Sequence, residues 1–337
     1  MAEEKSEAAA PEQPTGQGTG SVRGVYASIP ADRATGVPEP ASARLTWTDG
    51  ERSIDYEARA SHLDVRDDAG VLLGRMFSVS YVAVDGEGRA NASRPVTFAY
   101  NGGPGSSSVP INLGGIGPRR VATDGVSHLR ADAPIEDNPH TLLAESDVVF
   151  LDALGTGWSV LAEDADPKKV FCTDGDADAF ARAICAWLTE NGRWSSPLYL
   201  FGESYGTVRN SVLMRLLGER GVQLTGVVML SAVFNIAGLL NPGDDLYYLG
   251  MMPTFAATAQ FFGRAGAGVD EDEWFSRAMD FTERELAPAL LRGDRLGEAE
   301  ERAVAERMAA FIGLSAEHIL AHHLRVDLLD FRTHLLA

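Results

Sequence analysis

Continuous apolar runs alternate with amphipathic segments through the middle of the chain. The apolar runs occupy 146–152, 197–202 and 224–235. Such runs are typical of strands that are covered on both faces, as in a parallel sheet between helices. Between them, 173–194 and 206–221 carry apolar residues at helical spacing, and aspartates crowd the first turn of the earlier segment. The order strand, helix, strand, helix, strand predicts a doubly wound α/β core.

The segments on either side of this core differ from it in composition and in the pattern of their apolar residues. From about 40 to 100 the chain shows alternating and β-rich runs closed by Asp-Gly pairs, which predicts an antiparallel start that feeds the central sheet. The first 22 residues are rich in Glu, Ala, Pro, Gly and Gln, so we expect a disordered tail. We therefore expect a core over 23–239. From 240 to 337 we find no clear β run and expect a helical region.

Composition excludes several classes of protein. The net charge is −19, which disfavours nucleic acid as a partner because a phosphate backbone is bound by clustered Lys and Arg. No stretch approaches twenty uninterrupted apolar residues, so no membrane span is expected. Cys172 and Cys185 are expected to be free thiols, and the start has no secretory pattern, so a cytoplasmic location is expected. No His, Cys and Asp cluster has metal-ligand spacing, so we expect neither a metal nor a cofactor.

The run FGESYG carries the strongest chemical signal. Gly202, Ser204 and Gly206 match G-x-S-x-G, in which a tight strand-to-helix turn exposes a nucleophilic serine. The glycines remove side chains that would clash in such a turn. An apolar run precedes the motif and a helical pattern follows it. This context favours a nucleophile over a structural serine in a turn.

A glycine-rich stretch, Asn101 to Ser108, follows the short apolar run VTFAY. Such a turn brings backbone N–H groups close to a nucleophile, as an oxyanion hole requires. The N–H of Tyr205 would supply a second donor. A phosphate-binding loop is the alternative, but the Lys of G-x-x-x-x-G-K-[ST] is missing.

Four blocks in order, YNGGPGSSS, GIGPRRV, DVVFLDALGTGWSV and FGESYG, resemble the serine carboxypeptidases of peptidase family S10. The blocks span about 96–235. Proline aminopeptidases are similar in part, but they carry His rather than Asn before Gly-Gly-Pro-Gly. Asn101 and Glu203 therefore favour the carboxypeptidases.

The resemblance implies an α/β-hydrolase fold with a helical cap insertion and a role for each matching residue. Ser204 would be the acyl nucleophile, and Gly103 and Tyr205 would give the oxyanion-hole amides. Asn101 and Glu203 would bind the free α-carboxylate of a peptide substrate. A carboxylate binds an acidic side chain only when the two share a proton, so such sites favour low pH.

Two positions depart from the family pattern. Gly115 stands where the family commonly has a second acid, and Ser106 stands where it has a cysteine. Trp158 resembles a residue near the family's active site, where it would line the substrate pocket or simply pack. Asp152 ends a strand but precedes the serine, which is the wrong order for the triad acid.

The triad Asp and His are not found by pattern. After Ser204 the histidines are His318, His322, His323 and His334, all at helix-like spacing, and we expect them on helix surfaces. In the family the last strands, with Asp and His, follow the cap, so we expect both to be absent from this chain and its activity to be weak. The leading interpretation is a serine-type carboxypeptidase. The alternatives are an esterase or acyltransferase on the same scaffold, and a non-catalytic peptide-binding protein.

Overall fold

The computed structural model describes residues 37–125, 130–235 and 244–336. The tail expected over 1–22 lies outside these residues. The chain divides into two compact units, Met1–Val233 and Phe234–Ala337. The first unit holds the strands and the second is helical.

The strands of the described part of the chain form one large sheet and one small ribbon. Along the large sheet the order is β1-β2-β3-β7-β4-β9-β10, with β8 paired to β3, while β5 and β6 form the ribbon. The strands are β1 Ala41–Thr48, β2 Ser53–Arg66, β3 Leu72–Ala83, β4 Val96–Tyr100, β5 Arg119–Val121, β6 Ile135–Asp137, β7 Asp147–Leu151, β8 Val160–Leu161, β9 Leu198–Glu203 and β10 Gly226–Leu230.

Strand direction changes across the large sheet. The strands β1, β2, β3 and β7 pair antiparallel in that order, whereas β7, β4, β9 and β10 pair parallel. The predicted antiparallel start and parallel centre are therefore confirmed. Parallel neighbours need a crossover between them. A long helix lies between β7 and β9 and another between β9 and β10, whereas between β4 and β7 the chain holds only short turns and the ribbon.

The central strands are buried on both faces, as their continuous apolar runs predict. Every residue of β4 and of β7 is buried. Val96, Phe98 and Tyr100 of β4 pack into one apolar cluster, whereas Ala99 packs into another on the opposite face. Because side chains alternate along a strand, one short run contributes to two cores.

Two long helices cover the first of these clusters. The helix α2 spans Thr173–Glu190 and α3 spans Tyr205–Glu219, after a single short turn, α1, at Val109–Ile111. Phe180, Ile184 and Trp187 of α2 are buried, at the spacing that the sequence predicts. Trp187 meets Phe98 edge-on with ring centroids 5.5 Å apart. This packing fixes α2 against the strand that leads into the glycine loop.

A buried ion cluster holds the start of the parallel strands. Asp147 is fully buried at the first position of β7. Its Oδ1 accepts from Arg94 Nε at 3.0 Å and from the Ala83 N–H at 2.9 Å, and its Oδ2 accepts from Arg193 Nη1 at 2.7 Å. Arg193 also donates to the backbone oxygen of Arg94 at 2.7 Å. One carboxylate thus ties together β3, β7 and the segments that precede β4 and β9.

The second unit is built from helices over its described residues. They pack around an apolar core in which Phe255 and Phe331 stack with ring centroids 4.0 Å apart. The helices are α4 Asp245–Phe261, α5 Glu271–Phe281, α6 Ala287–Arg292, α7 Glu298–Ile312, α8 Ala316–Ala321 and α9 Leu328–Leu335. A π-helical turn at Thr282–Leu286 joins α5 to α6.

Candidate active site

Ser204 lies at the turn between β9 and α3, where the motif places it. Its backbone is held at φ 54° and ψ −122°, a conformation that side chains larger than glycine rarely adopt. A Cβ on Gly202 would lie 2.4 Å from the Gly206 oxygen and 2.7 Å from Asn210 Nδ2. The turn therefore closes only with glycine at position 202. The Ser204 N–H donates to the Leu230 oxygen at 3.0 Å, which ties the turn to β10.

The glycine loop packs directly on this turn. A Cβ on Gly102 would lie 2.3 Å from the Tyr205 nitrogen and 2.7 Å from the Glu203 oxygen. Gly103, the next residue, has φ +109°, which favours glycine. Tyr205 is the first residue of α3, so its N–H has no partner within the helix. The loop and the helix N-terminus thus meet beside Ser204, which is the arrangement that two oxyanion donors need.

Asn101 and Glu203 are brought into direct contact. Asn101 Nδ2 donates to Glu203 Oε2 at 2.9 Å, and the Gly102 N–H approaches the same oxygen at 3.4 Å. Asn101 Oδ1 accepts from the Ile111 N–H at 3.0 Å, which fixes the orientation of the amide. The buried Asn101 therefore presents its Nδ2 towards Glu203, and that nitrogen keeps a second hydrogen for a ligand.

Arg209 supports this pair and was missed from the sequence. The side chain is fully buried on α3, and Nη1 donates to the Asn101 oxygen at 3.0 Å while Nε donates to Asp176 at 2.7 Å. The guanidinium lies 4.1 Å from the ring centroid of Phe180. An arginine on an amphipathic helix normally indicates the solvent face, so the pattern alone gave no signal. The aspartates in the first turn of α2 were the available hint, because one of them is its partner.

Asp152 has a structural place beside the glycine loop. The Ser108 N–H donates to its Oδ1 at 2.7 Å, and a Cβ on Gly157 would lie 2.1 Å from its Oδ2. Burial raises the pKa of Asp152 to about 6, although hydrogen bonds from the backbones of Ser108 and Trp158 oppose the shift. The carboxyl therefore anchors the loop that carries Trp158.

The pKa of Asp152 predicts a pH dependence of stability. Between about pH 4 and about pH 6 the native state binds more protons here than the unfolded state, so the free energy of unfolding falls as pH rises. Relative to Asp152→Asn, which cannot titrate, the wild-type free energy of unfolding is expected to fall by about 3 kcal/mol over this range. Denaturant titrations of both proteins at several pH values measure the difference. If the difference in free energy of unfolding between the two proteins did not change with pH, the raised pKa of Asp152 would be contradicted.

The structure leaves the base of Ser204 unassigned. Over the described residues of the first unit, 37–125 and 130–233, no imidazole hydrogen-bonds the Ser204 hydroxyl. His62 Nε2 instead lies 3.0 Å from the Trp158 oxygen. Trp158 is half-exposed and stacks on Phe77 with centroids 5.8 Å apart. Its role at a substrate pocket remains a prediction, as do the roles of Ser204, Gly103, Tyr205, Asn101 and Glu203.

The histidines after the serine all lie in the second unit. His318, His322 and His334 surround Asp330, and His323 Nδ1 lies 3.1 Å from Glu301. Each is at least partly exposed. His318 and His334 lie on helix surfaces as expected, whereas His322 and His323 lie in the turn that follows α8, so the expectation is wrong for those two. Their grouping around one carboxylate was not foreseen.

The mixed sheet with its parallel centre, the strained serine turn and the adjoining glycine loop define an α/β hydrolase. No described helix has both the length and the apolar character needed to cross a membrane. A model of the serine carboxypeptidase family matches residues 59–242. This match covers more than half of the chain, and the chain belongs to that family. The resemblance drawn from the sequence motifs is confirmed.

Individual relatives are distant. Serine carboxypeptidase-like 33 of Arabidopsis thaliana is 26% identical over 162 residues, which cover 47% of this chain and 31% of the relative. The prohormone-processing carboxypeptidase Kex1(delta)p of Saccharomyces cerevisiae is 17% identical, with a TM-score of 0.44, over 77% of this chain and 54% of that one. A Rhodococcus 2-hydroxy-6-oxo-6-phenylhexa-2,4-dienoate hydrolase is 15% identical, with a TM-score of 0.31, over 76% of this chain and 73% of that one. The chain spans less than two thirds of either carboxypeptidase relative.

Proposed function

We propose that this chain carries the nucleophile, the oxyanion hole and the carboxylate-binding pair of a serine carboxypeptidase site. Ser204 Oγ attacks the carbonyl carbon of the last peptide bond, and the amides of Gly103 and Tyr205 stabilise the oxyanion. The C–N bond then breaks, the C-terminal residue leaves with a proton, and water hydrolyses the acyl-enzyme. The contact between Asn101 and Glu203 beside the serine turn carries this proposal.

That contact suits a free α-carboxylate. Asn101 Nδ2 has one hydrogen on Glu203 and a second one to offer to a ligand. Glu203 is only partly buried and can hold the proton that it shares with a substrate carboxylate. Arg209 stabilises the Asn101 backbone from behind. An uncharged ester or amide terminus offers no second carboxylate to share that proton.

A second candidate function is binding of peptide C-termini without catalysis. What supports it is the absence of an imidazole partner for Ser204 among the described residues of the first unit, because a serine without its base is a weak nucleophile. We propose that the chain alone is weakly active at most. Labelling with a fluorophosphonate separates the candidates: rapid, stoichiometric labelling of Ser204 supports catalysis, whereas no labelling supports the binding function. An ester substrate tested beside a blocked dipeptide separates the peptidase from an esterase or acyltransferase.

The carboxylate site predicts proton-linked binding. In a Ser204→Ala background, a blocked dipeptide with a free carboxylate is expected to bind more tightly in acid than at neutral pH. Affinity should fall about tenfold for each pH unit where the complex holds one proton more than its free components. With Glu203→Gln the amide donates without a titrating proton, so binding should persist and its pH dependence should flatten. Calorimetry at several pH values measures both.

Two controls make this test specific. The C-terminally amidated dipeptide should bind weakly and without pH dependence, because it lacks the second carboxylate. Glu219→Gln changes an exposed glutamate at the far end of α3 and should leave the profile unchanged. If the dependence of affinity on pH were the same with glutamate and with glutamine at position 203, Glu203 would not belong to the carboxylate site.

The two cysteines support a reducing compartment. Cys172 and Cys185 are both free thiols, and a disulfide framework is typical of small secreted domains. We therefore propose a cytoplasmic location.

A further inference from the structure

Three side chains of the second unit converge in a way that the proposed function does not use. His318 Nε2 lies 2.6 Å from Asp330 Oδ2, and His334 Nδ1 lies 3.2 Å from Asp330 Oδ1. One potential ligand atom from each of these residues lies within 4.8 Å of the others. We call His318, Asp330 and His334 the histidine cluster. We propose that it binds a divalent transition-metal cation, with Zn²⁺ as the preferred ion.

The cluster is close to the spacing that such a cation needs, but it must rearrange to reach it. With bonds of about 2.0–2.1 Å, neighbouring ligand atoms in a tetrahedral zinc site lie about 3.3 Å apart. His334 Nδ1 lies 3.2 Å from Asp330 Oδ1, whereas His318 Nε2 lies 2.6 Å from the other carboxylate oxygen, Oδ2. His334 Nδ1 also lies 2.9 Å from the Asp330 backbone oxygen, so this ring must give up that contact when the two imidazoles close around one cation. Asp330 and His334 are four residues apart on α9 and therefore share one face of the helix.

The backbone beneath the cluster is fixed by the core of the second unit. Ile319 follows His318, Phe331 follows Asp330 and Leu335 follows His334 in the sequence, and all three apolar residues are buried in one cluster. Each ligand thus stands next to a packed residue. The start of α9 is capped by Asp327, whose carboxylate accepts from the Asp330 N–H at 2.8 Å. A site whose supporting residues are held in this way loses little freedom when an ion binds.

The donor types also favour a transition-metal cation. The ring of His318 lies 4.4 Å from that of His334 and 4.6 Å from that of His322, centroid to centroid. Neutral rings each keep one lone pair. A metal ion accepts such lone pairs and a carboxylate together, and imidazole nitrogen excludes Mg²⁺ and Ca²⁺ as preferred ions.

Access is open and the affinity is linked to pH. His334 is about half exposed and His318 and Asp330 are partly exposed, so an ion can enter and water can complete its coordination. Because the rings must be neutral to bind, affinity should fall in acid and binding should release protons. From the sequence we expected no metal, because His318 and Asp330 are twelve residues apart in the sequence and belong to different helices.

The test is zinc binding to the full chain without a histidine tag, measured by calorimetry. One Zn²⁺ per chain is expected, and His318→Gln and His334→Gln should each weaken binding by at least about tenfold. His323→Asn is the matched control, since His323 is mostly exposed and pairs with Glu301 outside the cluster; its affinity should equal that of the wild type. Absence of binding, or equal binding by the two Gln variants, would overturn the proposal.

A second measurement covers the case in which a variant fails to fold. Circular dichroism and thermal unfolding in the presence of a chelator should show the same fold and Tm for all three variants and the wild type. On the wild type alone, Zn²⁺ should shift the NMR signals of the His318 and His334 rings and leave those of His323 in place. If Zn²⁺ shifted only the signals of other histidines, or shifted no histidine signal, the cluster would be only a hydrogen-bonded His–Asp network.

Discussion

Gly102→Ala is expected to lower the free energy of unfolding of the first unit by about 3 kcal/mol, the upper end of the usual cost of overpacking. The new methyl group would lie 2.3 Å from the Tyr205 nitrogen, 2.7 Å from the Glu203 oxygen and 2.9 Å from the Gly206 nitrogen. All three atoms belong to backbone, so no side chain can rotate away to make room. Either the glycine loop or the serine turn must move.

The same substitution should impair chemistry and binding at the site. Moving the turn displaces the Tyr205 N–H, which we propose as an oxyanion donor, and it disturbs the contact of Glu203 with Asn101. A shift of about 1 Å in such a site can cost roughly a hundredfold in rate. Binding of a blocked dipeptide to the variant should therefore weaken together with its stability.

Tryptophan fluorescence during urea unfolding measures the effect. Four of the five tryptophans, Trp47, Trp158, Trp187 and Trp194, lie in the first unit, so the signal reports mainly on that unit. Gly114→Ala is the control, because a Cβ there has no atom within 4 Å. Equal midpoints for Gly102→Ala and Gly114→Ala would show that the loop and the turn are not in contact.

Asp147→Ala is expected to destabilise the first unit by about 3–5 kcal/mol, the usual cost of leaving a buried charge without its partner. The change leaves the guanidinium of Arg193, almost fully buried, without its carboxylate. It also removes the counterion of Arg94 and the acceptor of the Ala83 N–H. Two like charges would then share one buried site.

Two variants calibrate this loss. Asp147→Asn keeps an acceptor for the Ala83 N–H and nearly the same volume, so it should cost less than the alanine variant. Glu219→Ala breaks an exposed pair with Arg215, which is worth only about 0.3–0.5 kcal/mol. Urea unfolding followed by tryptophan fluorescence compares all three. A loss at Asp147 no larger than the loss at Glu219 would mean that the cluster contributes little to stability.

The architecture of the first unit was largely predictable because its signals are local. Apolar runs mark β4, β7 and β9, and the glycines at 202 and 206 mark the turn at which Ser204 stands. Steric need limits such positions to one residue type, so a short motif identifies them. The contact of Asn101 with Glu203 spans about a hundred residues, and only the family resemblance suggested it.

The features that escaped prediction depend on long-range packing. Arg209 is polar on a helix that otherwise looks amphipathic, and its burial depends on Phe180 and Asp176 arriving from α2. His318 and Asp330 belong to separate helices, α8 and α9, whose relative placement follows from the core beneath them. Hydrophobic periodicity shows which face of a helix is buried. It does not show which polar groups on two helices meet.

The position of β4 between β7 and β9 has a consequence for how the chain folds. The strands β1, β2 and β3 pair with their neighbours in sequence. These three antiparallel strands can therefore form early, while much of the chain is still unstructured. Val96 must instead find Asp147 about fifty residues later and Leu198 about a hundred residues later, and closing such loops is slow. The strand that leads into the glycine loop therefore gains its second neighbour only after the α2 segment and β9 have been synthesised. During synthesis on the ribosome, an early chain would expose β4 as an apolar edge until β7 and β9 have been made.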